Sequence, residues 1–214
     1  MTTRFAAPAR ARLVRGRGGE RRPAYDPDSL LDVAVTVFIE RGYEGTSMED
    51  LARTAGISKS SIYHHVAGKE ALLRAALDRA LDALFAVCEE EGSTTGPAID
   101  RLRHVIRRSI EILDRELPYV TLLLRVRGNT ATEQNALERR RAFDRFVANL
   151  VAAASADGDL RADLNPALAT RLIFGMINSI SEWYHPGGGI TVGQLADGVV
   201  SLVIRERTPT GQAG

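Results

Sequence analysis

The 214-residue chain is predicted to be all-α, with about nine helices in two parts: a small N-terminal three-helix unit carrying a helix-turn-helix, and a larger C-terminal helical bundle. Three observations predict this. Beyond the first two dozen residues, apolar side chains recur at three-and-four spacing, the period that gathers them on one face of a helix. No stretch alternates apolar and polar residues in the manner of a half-buried strand. Capping residues stand at the starts of the periodic runs, and Gly or Pro at their ends.

Asp26-Pro27 opens the first helix, with aspartate as cap and proline at the first helical position, and Gly42 stops it. Leu30, Leu31, Ala34, Val35 and Phe38 form its buried stripe. Ser47 caps the second helix, with Asp50 three positions on as the reciprocal acid of a capping box. Leu51, Ala52 and Ala55 supply its apolar face, and Gly56 provides the positive φ that ends it. Ser58 caps a third helix, Lys59 to His65, on which Ile62 and Val66 point inward and His65 is expected to follow them. A long helix follows Lys69, with Leu72, Leu73, Ala76, Leu77, Ala80, Leu84 and Val87 in register, and ends near Gly92.

Ser93-Thr94-Thr95-Gly96-Pro97 reads as a turn. Leu102, Val105, Ile106, Ser109, Ile110 and Leu113 mark the next helix; Pro118 breaks it, and Tyr119 to Val126 form a short apolar segment. Thr132 to Ala154 is a helix charged in its first half and apolar in its second. Asn165-Pro166 caps another, which runs to Tyr184 and ends at Pro186-Gly187-Gly188-Gly189. Thr191 and Gln194 make a last capping box before the final helix, Val192 to Arg205. The expected organisation is a disordered basic arm over 1–22, a helix-turn-helix unit over 23–70, a larger helical bundle over 71–207, and a flexible tail over 208–214.

The segment TSMEDLARTAGISKSSIYHHVAGK, residues 46–69, carries the function. Two short helices meeting at a glycine turn, the second presenting Lys59, Ser60, Ser61, Tyr63 and His64, suit the DNA major groove. Lysine favours guanine O6 and N7, while serine pairs with any base. With Ala34, Phe38, Gly42-Tyr43-Glu44-Gly45-Thr46-Ser47, Leu51-Ala52, Ala55-Gly56-Ile57-Ser58, Ile62-Tyr63-His64-His65-Val66 and Gly68-Lys69-Glu70-Ala71-Leu72, the chain resembles the DNA-binding domain of the tetracycline-repressor (TetR) family over residues 28–73.

The resemblance implies base contacts from Met48, Lys59, Ser60 and Ser61, and phosphate contacts from Ser47, Tyr63, His64 and Lys69. It also implies a homodimer reading a palindromic operator on double-stranded DNA, with the last two helices of each subunit forming a four-helix interface. Leu168, Leu172, Gly175 and Ser179 on one helix, and Leu195, Val199, Leu202 and Val203 on the next, are the candidates. The family binds a small-molecule effector inside the C-terminal bundle. The residues available there are Phe85, Ile106, Ile110, Tyr119, Leu123, Arg125, Phe143, Val147, Phe174, Asn178 and Trp183. Arg125 stands on a nearly all-apolar segment, so its charge must snorkel, pair with an acid or meet an anionic ligand. The run FGMINSISEWYHPGGG is similar to the corresponding helix end in members that sense acyl-CoA thioesters, and arginines at 125, 127, 139, 140 and 141 suit a CoA phosphate.

The formal net charge of +1 hides a division: residues 1–22 carry seven arginines and one glutamate, leaving −5 for the rest of the chain. Residues 23–68 hold three basic and seven acidic side chains, so an arm reaching phosphates would offset an acidic reading unit. No run approaches the ~20 apolar residues of a membrane span. One cysteine, Cys88, permits no intrachain disulfide, which suits a cytoplasmic location. The four histidines have no metal-ligand spacing, and no cofactor motif or nucleophile elbow is present, so a helical-bundle enzyme is disfavoured. A ligand-independent DNA-binding or architectural protein is the alternative to an effector-released repressor.

Overall fold

The computed structural model describes residues 27–204. Within them the chain forms α1 (Pro27–Arg41), α2 (Met48–Ala55), α3 (Lys59–His65), α4 (Lys69–Glu89), α5 (Glu91–Thr94), α6 (Ala98–Arg115), α7 (Leu117–Arg125), α8 (Ala131–Ala156), α9 (Pro166–Trp183) and α10 (Val192–Val203). The described residues contain helices and no strand. The basic arm, Asp26, Arg205 and the tail lie outside the described residues.

In the N-terminal unit, Leu30, Ala34, Val35 and Phe38 of α1 close over Leu51 and Ala52 of α2 and Ile62 of α3. Gly42, at φ 79°, turns the chain out of α1 and donates to the Phe38 carbonyl at 3.0 Å. The helix α4 then carries the chain into the bundle. Its 21 residues span about 31 Å at ~1.5 Å per residue. In the bundle, α8 packs on α4, α6 and α9, and α10 lies on α6.

The tenth helix comes from a place where sequence predicted a turn. The Glu90 carboxylate accepts both Arg108 Nε and Nη2 at 2.9 Å and pairs with His104 Nε2 at 2.6 Å. These bonds stop α4 at Glu89 and fold residues 91–94 into one turn of helix. Gly92 sits so close to the His104 ring that an added Cβ would come within 2.5 Å of it. Pro118 has a gentler role than breaking a helix: α6 has already ended at Arg115, and the proline stands in the first turn of α7, where its missing N–H costs nothing.

Candidate nucleic-acid interface

Two caps and one glycine build the reading unit. The Ser47 hydroxyl accepts the Asp50 N–H at 3.1 Å, and the Asp50 carboxylate accepts the Ser47 N–H at 3.1 Å and its hydroxyl at 2.6 Å. The hydroxyl bond and then the amide bond hold the Asp50 carboxyl below the ordinary aspartate range. The Ser47 hydroxyl is thereby committed as both donor and acceptor inside the cap. Gly56, at φ 72° and ψ 24°, and Ile57 return their N–H groups to Arg53 and Ala52 at 3.2 and 3.0 Å, a Schellman ending. Ser58 then caps α3 by accepting the Ser61 N–H at 3.1 Å, and its hydroxyl lies 3.0 Å from that of Ser60.

Ile62 is fully buried and anchors α3 from below. Lys59, Ser60, Tyr63 and His64 stand exposed on the other side, and Ser61 is half-buried at the edge of that face. Tyr63 is 51% exposed, a large ring left in water by its own fold. His65 departs from expectation: it is exposed, because α3 ends after it and Val66 takes extended backbone rather than continuing the inward stripe. Met48 is half-buried and packed against the core of the N-terminal unit, so part of its side chain is committed to packing.

Lys69 is drawn inward. Its Nζ donates to the Tyr43 and Thr46 carbonyls at 3.1 and 3.2 Å and lies 4.4 Å from the centroid of the Tyr43 ring. It fastens the α1–α2 turn to the start of α4. Nearby cations are also occupied: Arg53 is paired to Asp50, and Arg41 reaches the same carboxylate at 3.5 Å. On α3, Lys59 is exposed and makes no ion pair among the described residues.

The family model described as "Bacterial regulatory proteins, tetR family" matches residues 30–76. The model described as "Tetracyclin repressor-like, C-terminal domain" matches residues 95–206, more than half of the chain. The chain belongs to the tetracycline-repressor family. This tetracycline-repressor-family protein is a DNA-binding transcriptional regulator, not an enzyme. It is 57% identical to a family member from Streptomyces coelicolor A3 whose crystal structure superposes with a TM-score of 0.80, covering 90% of this chain and 97% of that one. The transcriptional repressor KstR2 of Rhodococcus jostii (strain RHA1) is 30% identical over 192 residues, 88% of this chain and 91% of that protein. A crystal structure of AibR with isovaleryl coenzyme A and operator DNA is 27% identical with a TM-score of 0.72, covering 83% of this chain and 97% of that one.

The sequence-derived pocket residues of this family member divide into separate places. Ile106, Ile110, Leu123, Phe143 and Val147 are buried core shared by α6, α7 and α8. Half-buried Phe85 and Phe174 meet Phe143 edge-on, with ring centroids 6.0 and 5.6 Å away. Asn178 is half-buried, and Trp183 is exposed at the end of α9. Tyr119 and Arg125 face the N-terminal unit instead. The Tyr119 hydroxyl is bonded to Asp32 and Arg79, and Arg125 Nη1 donates to the Ile39 carbonyl at 2.5 Å. The charge on the apolar segment is thus answered by a backbone oxygen of α1. A cleft of about 650 Å³ opens at this seam, lined by Phe38, Tyr43, Leu73, Leu122, Arg125 and Glu133 among others; Arg125 is the one residue it shares with the predicted pocket.

Among the bundle arginines, Arg139 is occupied by Asp78 and Asp82 at 2.8 and 2.5 Å. Arg140 makes no ion pair within 4 Å among the described residues, and the charge that acts on it is the Asp144 carboxylate one turn along α8. Arg140 is half-buried, on the α8 face that carries Phe143 and Val147, with Nη1 3.5 Å from the Leu123 carbonyl. Burial lowers its affinity for the proton. Spacing from Ala136 and Val147 was the signal that singles it out from its neighbours, since four- and seven-residue steps share a helix face.

The dimer candidates divide too. On α9, Leu168 and Leu172 are 56% and 62% exposed, and Gly175 and Ser179 continue their face. On α10, Leu202 is 78% exposed and Val203 half-buried, but Leu195 and Val199 are buried against the chain's own core. Leu195 and Val199, named as interface candidates, are thus spent inside the protomer, because α6 covers the face of Leu195, Ala196, Val199 and Val200.

Proposed function

We propose that the protein is a homodimeric repressor which reads a palindromic operator through α3 and is released by an acyl-CoA thioester. The observation that carries the reading is that α3 stands clear of its own fold while α9 and α10 leave Leu168, Leu172 and Leu202 in water. Lys59, Ser60 and Ser61 are assigned to base edges, with Met48 adding an apolar contact from its exposed part. Tyr63 and His64 are assigned to phosphates, and the start of α2 behind Ser47 presents amides to a third. Lys69 supports this surface chiefly by holding the turn behind it.

The uncovered α9 face, with the end of α10, is assigned to a second copy of the chain. At Gly175 and Gly198 an added Cβ would meet nothing within 4 Å, so the protomer itself has no need of glycine there. Close approach of a partner helix gives that smallness a use. Two such subunits place their reading helices about one helical turn of DNA apart, ~34–36 Å.

The effector class is drawn from the likeness to AibR, whose structure holds isovaleryl coenzyme A, and from Arg140, a half-buried cation on the α8 face that carries Phe143. A bundle interior with apolar walls and one such cation suits a chain with an anionic head. The protein is placed in the cytoplasm, where its DNA is; among the described residues no helix is long and apolar enough to cross a membrane.

Selection of genomic fragments retained by the protein gives the operator. Acyl-CoAs of graded chain length are then screened for a rise in melting temperature and for release of that operator, with free CoA as control. The reading expects an inverted repeat and a chain-length optimum. A retained site without two-fold symmetry would remove the dimeric reader, and absence of any melting shift would favour a ligand-independent DNA-binding protein.

A further inference from the structure

One buried hydroxyl joins three helices that belong to different parts of the molecule. Tyr119 of α7 is only 3% exposed; its hydroxyl donates to the Asp32 carboxylate of α1 and accepts from Arg79 Nη1 of α4 at 3.1 Å. The Arg79 guanidinium lies over the same ring, 4.2 Å from its centroid, and its Nε donates to Glu116 Oε2 at 2.7 Å, just before α7 begins. Glu116 also accepts from Arg115 Nε at 3.2 Å. Within this cluster the two carboxylates, Asp32 and Glu116, balance the two guanidiniums, Arg79 and Arg115. Burial, and then the Asp32 carboxylate, hold the tyrosine firmly in its protonated form.

A second tie lies further along the same two helices, where Arg125 Nη1 reaches the Ile39 carbonyl. Asp32 and Ile39 are about 10 Å apart along α1, and Tyr119 and Arg125 about 9 Å apart along α7, at ~1.5 Å per residue. The two helices therefore run parallel with matched spans between ties. One tie would act as a pivot; two resist rotation as well as sliding.

We propose that Tyr119, with Asp32 and Arg79, is a positioning residue for DNA reading: it fixes the angle between the N-terminal unit and the bundle. Helix α1 packs on α2, and α2 on α3, so the pose of α1 sets that of α3. In the homodimer this angle sets the separation of the two reading helices, and so the half-site spacing the protein accepts. The inference rests on the dimeric reading proposed above. Apolar contact between α1 and α7 tolerates small shifts; a hydroxyl that both donates and accepts does not, because each bond weakens steeply off line.

The test is a titration of operators whose half-sites are moved by one base pair in either direction, a shift of ~3.4 Å with about a tenth of a turn. The wild type is expected to bind the native spacing about tenfold more tightly than either neighbour, and Tyr119→Phe to lose about tenfold in affinity together with most of that discrimination, in line with a bond to a charged group. The slope of log affinity on log salt stays at the wild-type value, because no phosphate contact is lost. Asp32→Asn keeps an acceptor for the hydroxyl and retains the discrimination; Asp32→Ala lacks one and loses it. Circular dichroism and sedimentation check that each variant is a folded dimer, and Asp32→Ala, altered at an exposed side chain, stands in should Tyr119→Phe fail to fold. Wild-type discrimination in a folded Tyr119→Phe or Asp32→Ala dimer overturns the proposal. A wild type that binds single half-sites as tightly as paired ones overturns the dimeric reading instead.

Discussion

Replacing Lys69 with alanine removes two hydrogen bonds and one ring contact at once. A bond from a charged donor contributes about 1.5–3 kcal/mol when well buried, and the lower end applies to a half-buried ammonium. The contact with the Tyr43 ring adds about 0.5–1 kcal/mol. These terms share one group and do not add fully, which leaves roughly 2–4 kcal/mol. For a chain of this size that corresponds to a fall in melting temperature of about 5–12 °C. Operator affinity falls with it, because the Tyr43 and Thr46 carbonyls directly precede the Ser47 cap of α2. Lys69→Met keeps the stem over the ring without the donors and recovers about 1 kcal/mol of the loss. The assay pairs a melt without DNA with operator titrations at several salt concentrations. A strut leaves the salt slope at its wild-type value, whereas a lost phosphate contact lowers it by ~0.9 per subunit. An unchanged melting temperature with a lowered slope would refute the strut and return Lys69 to the phosphates.

Leu172→Asp puts a carboxylate on the uncovered α9 face; sedimentation should show monomers at micromolar concentrations with the melt of each protomer retained, and a persistent dimer would dismiss that face as the interface. Because the folded Asp50 carboxyl titrates below its ordinary 3.8, its contribution is present above that pH and lost as pH falls through the lower folded value. The melting difference between wild type and Asp50→Asn should therefore shrink on acidification from about pH 5 to about pH 2, and a constant difference would contradict the cap's role. Burial pushes the Cys88 thiol up to about 11, so alkylation at neutral pH should be slow and rise steeply toward that value; rapid neutral labelling, read by mass spectrometry, would contradict a thiol held protonated by burial.

The parts of the protein that were legible in sequence are those decided within a few residues. Ser47 with Asp50, Ser58, Asn165, and Thr191 with Gln194 all cap in the structure as their spacing predicts, since each bond closes across three residues. Gly56 is equally local, because only the missing Cβ makes its left-handed backbone cheap. Where a partner lies far along the chain, spacing was silent. The end of α4 depends on Arg108 and His104, 18 and 14 residues beyond Glu90. Arg125 carries a visible oddity, a charge among leucines, yet its answer is a carbonyl 86 residues earlier.

Taken alone, the amino-acid sequence determined the helical class, the helix-turn-helix and its outward face, because periodicity and capping are properties of neighbouring residues. Tertiary structure decided which surfaces remain free. Leu195 and Leu202 look alike on one helix, but α6 covers the first and leaves the second in water. Lys69 and Lys59 are equivalent charges until the Tyr43 ring and two carbonyls take up the first. Tyr119 reads as one more apolar-segment residue until α1 and α4 arrive at its hydroxyl. Whether a side chain is spent inside the fold or left to act outside it depends on what else comes within bonding distance, and that is set only when distant helices pack.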